Sequence, residues 1–235
     1  GAGTPGSAGP VDVIVGVLGG GQLARMLALA GHPLGIHVVF LDPAKDACAG
    51  PVADGLQGQF ENRVLLDRLA ARADVITYEF ENLPLASVEY LAGRMPVHPA
   101  PAALAAAQDR LAEKTLFREL RIDTPRFLAV ASLDELTAAV AEIGLPAVLK
   151  TRRLGYDGKG QVPVTSLAEA QQGFTQLQEA PCVLEQRVEL ALELSVILAR
   201  SANGDTALFP VGENVHVGGI LDTTLVPARV SSRLA

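Results

Sequence analysis

Lys150 opens, and Lys159 lies within, a glycine-rich stretch, Lys150–Gln161, with the sequence KTRRLGYDGKGQ. Gly155, Gly158 and Gly160 allow the backbone to bend sharply and bring its N–H groups close to a ligand. The apolar run Ala147-Val148-Leu149 makes Lys150 the end of a strand. One cation then stands at a strand end and another inside the loop. Glycines and cations beside a strand suit a polyphosphate. Tyr156 and Asp157 add a phenol and a carboxylate that a bare turn does not need. The same residues also fit an ordinary glycine-rich hairpin with solvated charges, and the stretch alone leaves both readings open.

A second glycine cluster, Gly19-Gly20-Gly21-Gln22, follows the β-branched run VDVIVGVL and precedes LARMLALAG, whose apolar spacing is helical. A second strand, Ile36–Leu41, ends in Asp42-Pro43. The register Gly19-x-Gly21-x-x-Ala24, with Asp42 further on, fits a dinucleotide fingerprint and NAD or FAD. It equally fits a helix N-terminus that binds another anion, such as a substrate phosphate, or a tight turn with no ligand. Glu79 and Glu81 close a third strand, Asp74–Phe80. Acidic groups at the carboxyl end of a parallel strand lie on the edge where open α/β sheets bind ligands. They also serve as caps in solvated turns.

The elements that must position these groups fall into two regions. Strand, glycine loop, helix and strand call for a parallel sheet. Helices are expected at Leu65–Ala73 and Pro84–Gly93, and a short strand at Met95–His98. Pro99-Ala100-Pro101 marks a boundary. One long helix is expected over Ala102–Arg121, containing Gln108-Asp109-Arg110-Leu111 and Glu113-Lys114, whose charges fit a solvent face. Strand Arg126–Val130 follows, then helix Leu133–Ile143 with Ser132 as its N-cap and Glu135 three residues on. After the glycine loop come strand Gln161–Val164, helix Ser166–Gln178 and strand Cys182–Glu185. Glu193–Arg200 and Thr206–Val211 flank Asn203-Gly204, a hairpin signal. His216 stands alone near Gly218-Gly219, where a structural role is the ordinary one.

Composition sets the remaining bounds. The chain has 235 residues, 49% of them hydrophobic and 4% aromatic, with a net charge of −7. That balance argues against a nucleic-acid partner, which needs a basic face. No apolar run approaches the roughly 18 residues of a membrane span. Cys48 and Cys182 lie far apart, fit no metal spacing and read as reduced thiols of an intracellular protein. Residues 1–10, GAGTPGSAGP, are expected to be a disordered leader without signal-peptide character.

GVLGGGQLARMLALAG, TYEFENLP, QDRLAEK, LKTRRLGYDGKGQ, LEQRVELALELSVILAR and GENVHVGGIL occur in that order. Together they resemble the N5-carboxyaminoimidazole ribonucleotide synthetase family of ATP-grasp ligases, from about Val13 to Ser231. The resemblance implies an α/β fold. A parallel-sheet, Rossmann-like pre-ATP-grasp domain (11–100) leads through a helical connection (101–121) into an α+β ATP-grasp domain (122–235) that lacks roughly the last third of a typical member. It also implies ATP, Mg²⁺, bicarbonate and 5-aminoimidazole ribonucleotide as reaction partners, a cytoplasmic location in purine biosynthesis, and a homodimer.

Carried over residue by residue, Arg110 and Lys150 contact ATP phosphates. Gly155, Tyr156, Asp157, Gly158, Lys159, Gly160 and Gln161 form the loop over them. Glu185, Gln186, Arg187 and Val188 hold adenine, Glu193 the ribose, and His216 the nucleotide. Gln22, Leu23 and Glu79 hold the ribonucleotide, with Tyr156 and Asp157 as the catalytic pair. This assigns the first glycine loop to substrate rather than NAD. No metal ligand is named. Leu154 departs from the family, which usually has glycine there, and Ala191-Leu192 replaces a usually charged pair. Another ATP-grasp ligase, of the formate-dependent purine transformylase or biotin carboxylase type, is the nearest enzymatic alternative. An NAD-dependent oxidoreductase and a non-catalytic nucleotide-binding fragment are the rivals of other kinds.

Overall fold

The computed structural model describes residues 12–155 and 159–231, which form two compact units, 1–116 and 117–235. In the first unit, strands β1 (Val13–Leu18), β2 (Ile36–Asp42), β3 (Asp54–Gln57) and β4 (Val75–Tyr78) form one sheet in the order β3-β2-β1-β4. Every pairing in it is parallel. A parallel sheet must be covered on both faces, and the residues alternate accordingly. Leu18, Val39, Leu41 and Ile76 enter one buried cluster, while Val17, Val38 and Phe40 enter another with Ala24 and Ala28. Ala24 and Ala28 belong to α1 (Gln22–Gly31). Helices α2 (Arg63–Ala70) and α3 (Leu85–Ala92) supply Leu66, Leu69, Val88 and Leu91 to the first cluster.

Two local expectations are corrected here, and one strand went unread in the sequence. The strand expected at Met95–His98 is reduced to a single parallel bridge between Val97 and Ile76. The short strand β3, DGLQ, has no apolar alternation and is held by register against β2. The single helix expected over Ala102–Arg121 is two, α4 (Pro101–Ala107) and α5 (Arg110–Glu119). Their break is made by side chains. The Gln108 amide donates to the carbonyls of Glu81 and Leu83, and Asp109 Oδ1 accepts from Leu111 N–H at 2.9 Å. Gln108 is buried by these bonds.

In the second unit, β5 (Phe127–Val130), β6 (Ala147–Thr151), β7 (Gln161–Val164) and β8 (Cys182–Gln186) form an antiparallel sheet in the order β5-β8-β6-β7. Helices α6 (Leu133–Ile143) and α7 (Leu167–Gln176) pack on it through Leu136, Ala139, Ala170 and Phe174. Ser132 Oγ and Ser166 Oγ each accept the third N–H of the helix they start, at 3.2 Å. Glu169 reaches back to Thr165 N–H, and that bond holds its carboxyl below the usual range. Ser166→Ala is expected to cost about 1 kcal/mol, read by denaturant titration. The Glu169 contribution is present above the ordinary glutamate pKa and is lost as pH falls through the depressed folded value.

The expected strand Glu193–Arg200 is split. Its first part, β9 (Glu193–Ser195), pairs with β12 (Gly212–Val217), which also pairs with β13 (Ile220–Leu225). Its second part, β10 (Leu198–Arg200), forms a separate hairpin with β11 (Thr206–Leu208) around Asn203-Gly204. Among the described residues no helix is long and apolar enough to cross a membrane. Both thiols are free, and burial pushes Cys182 up to about 11 while Cys48 is exposed. Native alkylation at pH 8 is therefore expected to reach Cys48 alone, and Cys182 only after unfolding, by mass spectrometry of the labelled peptides.

Candidate functional site

On the first unit, the carboxyl ends of β1, β2 and β4 bring together Gly19–Gly21, Asp42 and Glu79. Glu79 Oε1 accepts from Gly21 N–H at 2.7 Å, and Oε2 accepts from Ala24 N–H at 2.8 Å. The carboxylate thus sits on the N-terminus of α1, where the helix dipole favours negative charge. Gly19 has φ +103, and a Cβ there would lie 2.5 Å from Glu79 Cγ, so only glycine fits the turn. Asp42 Oδ2 accepts from Gly20 N–H and Oδ1 from Ala44 N–H, both at 2.7 Å. In the dinucleotide reading this helix N-terminus carries a pyrophosphate and Asp42 a ribose. Here the chain's own carboxylates occupy both positions. Gln22 and Leu23 lie exposed on the first turn of α1.

A cavity of about 540 Å³ lies at the opposite, amino-terminal edge of this sheet and includes Ile14, His32, His37 and Arg72. Arg72 is paired there with Asp54 at 2.6 Å. It shares none of the residues of the Gly19–Glu79 crevice.

On the second unit, a cavity of about 370 Å³ is lined by Val148, Lys150, Gln161, Pro163, Glu185 and the chain leaving β8 as far as Leu190. The antiparallel register puts Glu185 opposite Val148, two positions from Lys150 on the same face. The long lysine side chain spans that diagonal, and Nζ donates to Glu185 Oε2 at 2.9 Å. Alternate residues Ala147, Leu149 and Leu184 point into the core. One face of β6 and β8 is therefore core and the other is the cavity floor. Val148, Pro163, Val188 and Leu190 give it apolar walls, and Lys150 gives it a cation.

The glycine loop joins β6 to β7. Thr151 N–H donates to Gly160 O at 2.8 Å and closes the base of the loop, with Gly160 at φ +71. Leu154 also has a positive φ, +63, a conformation glycine adopts without strain. The leucine is 72% exposed, so no packing offsets that strain. Tyr156, Asp157 and Gly158 lie outside the described residues.

Further along the unit, His216 Nδ1 meets Glu193 Oε2 at 2.6 Å across the β12–β9 pair. Ser195 and Thr224 hydroxyls donate to Asn214 Oδ1 beside them, at 3.4 and 3.0 Å. Glu193 and His216, read separately from sequence, are thus brought together. Arg110 opens α5, on the first unit as the chain divides. The apolar walls Val148, Pro163 and Leu190 went unread in the sequence, although the alternation about Leu149 contained the signal for Val148. Among the described residues no group of three or more His, Cys, Asp or Glu side chains could hold a metal ion.

A parallel α/β unit is thus followed by a sheet-and-helix unit that carries a lysine-floored cavity and a glycine loop. The ATP-grasp domain family matches residues 115–235, and the ribonucleotide synthetase preATP-grasp domain matches 13–108. The chain belongs to the ATP-grasp family. It is 46% identical over 207 residues to N5-carboxyaminoimidazole ribonucleotide synthase of Pseudomonas aeruginosa, covering 88% of this chain and 58% of that protein. The Thermus thermophilus N5-carboxyaminoimidazole ribonucleotide synthetase structure superposes with TM-score 0.87 at 43% identity, over 94% of this chain and 59% of that one. The Aspergillus clavatus enzyme in complex with ADP and 5-aminoimidazole ribonucleotide superposes with TM-score 0.86 at 27% identity, over 95% and 59%. The chain therefore spans about three fifths of the length of these relatives.

Proposed function

We propose that the chain carries the nucleotide and ribonucleotide sites of an N5-carboxyaminoimidazole ribonucleotide synthase. The reaction joins bicarbonate to the exocyclic amine of 5-aminoimidazole ribonucleotide and converts ATP to ADP and phosphate, within purine biosynthesis in the cytoplasm. The observation that carries this reading is the cavity on β6 and β8. Its apolar walls suit an adenine, and the Lys150 ammonium on its floor suits phosphate oxygens.

In this reading a bicarbonate oxygen attacks the γ-phosphorus, and the bond to the bridging oxygen of ADP breaks. The carboxyphosphate so formed releases CO₂ and phosphate. The amine nitrogen then attacks the carbon of CO₂ and loses a proton. Lys150 and Arg110 face the phosphates and neutralise charge as it moves onto the leaving oxygens. Residues 155–161 cover the phosphates and exclude water from a labile intermediate. The backbone of 185–188 holds adenine, Glu193 accepts from the ribose hydroxyls, and His216, paired with Glu193, contacts the nucleotide. Gln22, Leu23 and Glu79 hold the ribonucleotide. Tyr156 orients the amine, and Asp157 takes or positions its proton. The domain bounds 11–100, 101–121 and 122–235 and a homodimer belong to the same reading. Mg²⁺ is its metal. The described residues contain no fitting ligand set for it, so no step is assigned to the ion.

The test is ADP release from Mg-ATP by the full-length protein, with and without 5-aminoimidazole ribonucleotide and bicarbonate. Release that requires both is expected. Release driven by another acceptor, or none while the ribonucleotide binds elsewhere, contradicts the assignment. Asp157→Asn is expected to leave ATP affinity within about twofold and to slow carboxylation by about 10²–10⁴-fold, by steady-state kinetics. Wild-type turnover in this variant removes Asp157 from the mechanism.

A further inference from the structure

We infer that the second unit carries another ligand site, in the cavity between the end of α5, the start of β5 and the end of α6, and that it takes a small phosphate ester with an apolar body. The site is separate from the nucleotide cavity on β6 and β8, and the inference does not rest on the nucleotide reading.

The cavity measures about 400 Å³, a volume that suits a small ligand. Arg118, Arg121 and Arg126 line it, and Phe127, Leu128 and Ile143 give it an apolar wall. The chain gathers the arginines by ending α5 in a Schellman turn. Ile122 N–H donates to Phe117 O at 2.8 Å, and Arg121 N–H donates to Arg118 O at 3.1 Å. Thr124-Pro125 then leads into β5 at the edge of the sheet. Arg126 Nη2 donates to Glu142 O at 3.0 Å, and the Arg118 guanidinium lies 5.3 Å from the centre of the Phe127 ring. Each contact orders a guanidinium yet leaves most of its five N–H donors over. Among the described residues none of the three arginines forms an ion pair. Asp123 and Glu142 also line the cavity without an ion pair, so three cations stand there against two carboxylates. Guanidinium forks match the oxygens of a phosphate, and the Phe127 side suits a ring.

Arginines near a helix C-terminus also suit its dipole. That accounts for Arg118 in the last turn of α5 and for Arg126 beside the last carbonyls of α6. It does not call for an arginine at 121, beyond the helix, where φ is +58 and glycine is the unstrained residue. Helix α7 likewise ends on Gln178 and Glu179 at positive φ, so the backbone alone marks no site. Arg121 differs in bringing a third cation to a cavity. The other occupant such a surface fits is an acidic protein segment, but a cavity of this volume suits a compact ligand better than an extended chain.

The experiment is calorimetric titration of phenyl phosphate, inorganic phosphate and phenol into the full-length protein. Phenyl phosphate is expected to bind about tenfold more tightly than inorganic phosphate, the scale of partly burying a ring, and phenol not to bind. Arg121→Gly is expected to weaken phenyl phosphate by about tenfold or more, the scale of a charge-assisted hydrogen bond. Its fold and its ADP affinity should stay as in wild type, because glycine accepts the turn. Should that variant be unstable, Arg118→Gln gives the same readout from an exposed position. Pro125 lines both this cavity and the nucleotide cavity, so Lys150→Met/Glu185→Met is titrated as well and is expected to bind phenyl phosphate as wild type does. Loss of the probe in that double variant, with Arg121→Gly unaffected, puts it in the nucleotide cavity and overturns the inference. Equal affinity for inorganic phosphate and phenyl phosphate, or no binding of phenyl phosphate, overturns it too. A protein that ignores phenyl phosphate yet binds a glutamate-rich peptide through Arg121 has an acidic segment as its occupant, which equally overturns it.

Discussion

Lys150→Ala is expected to weaken ADP binding by about 10–100-fold and to cost about 3–5 kcal/mol of folding stability. Both effects come from one contact. The ammonium sits 2.9 Å from a carboxylate that is 5% exposed, and its removal strands that charge in a low-dielectric pocket. Exposed ion pairs on this chain lack that leverage. Arg72 and Asp54 meet at 2.6 Å, but their side chains are 40% and 77% exposed, and pairs of this kind contribute about 0–1 kcal/mol. The stability loss is read by urea denaturation of the variant against wild type. Lys150→Met/Glu185→Met, which removes both charges, is expected to recover most of it without recovering nucleotide affinity. Stability and binding then separate within one pair of residues. A Lys150→Ala protein as stable as wild type would show that the carboxylate finds water, and that the cavity floor is wetter than its burial indicates.

The parts of this fold that were legible in the sequence are those with local chemistry. Val13–Leu18, the glycine triplet and LARMLALAG specify strand, turn and helix from neighbouring residues, and β1, α1 and β2 follow. Helix α6 was legible to the residue, because Ser132 and Glu135 form their capping bonds within four positions. What was not legible depends on partners far along the chain. β3 exists because Asp54–Gln57 meets β2 in register, not because DGLQ favours a strand. The run Glu193–Arg200 looks continuous, yet its halves pair with different strands. Residues 102–121 have helical propensity throughout, and only the Gln108 bonds to carbonyls near Leu83 reveal why the helix breaks.

The site divides in the same way. Lys150 and the glycine loop were readable as phosphate chemistry because strand, cation and glycines are contiguous. The pairing of Lys150 with Glu185, and of Glu193 with His216, needs the register of separate strands. The sequence placed Asp42 and Glu79 at the correct sheet edge but could not show that both carboxylates face the chain's own N–H groups. That matters for chemistry. A helix N-terminus free of side chains attracts a phosphate, whereas one already holding a carboxylate repels it.

Glu79→Ala is therefore expected to turn α1 into an anion site. Wild type fills the helix N-terminus with Glu79, whose two oxygens accept from Gly21 and Ala24 N–H. Truncation to alanine leaves those donors to water and removes a charge favourably placed on the dipole. The expected cost is about 2–4 kcal/mol, from two backbone donors losing a charged acceptor. It also opens the space that Gly19 and Gly21 keep close to the carboxylate. Inorganic phosphate should then bind at the exposed N–H groups and raise the melting temperature of Glu79→Ala in proportion to the logarithm of its concentration, leaving wild type unmoved. Ribonucleotide affinity should fall by about tenfold or more in the same variant if Glu79 holds the ribonucleotide as proposed, since the ligand then loses a charged acceptor. The two readouts move in opposite directions only if Glu79 both excludes phosphate from α1 and accepts from the sugar. If phosphate stabilises wild type and variant alike, the anion binds elsewhere, and the helix N-terminus plays no part in orienting the substrate.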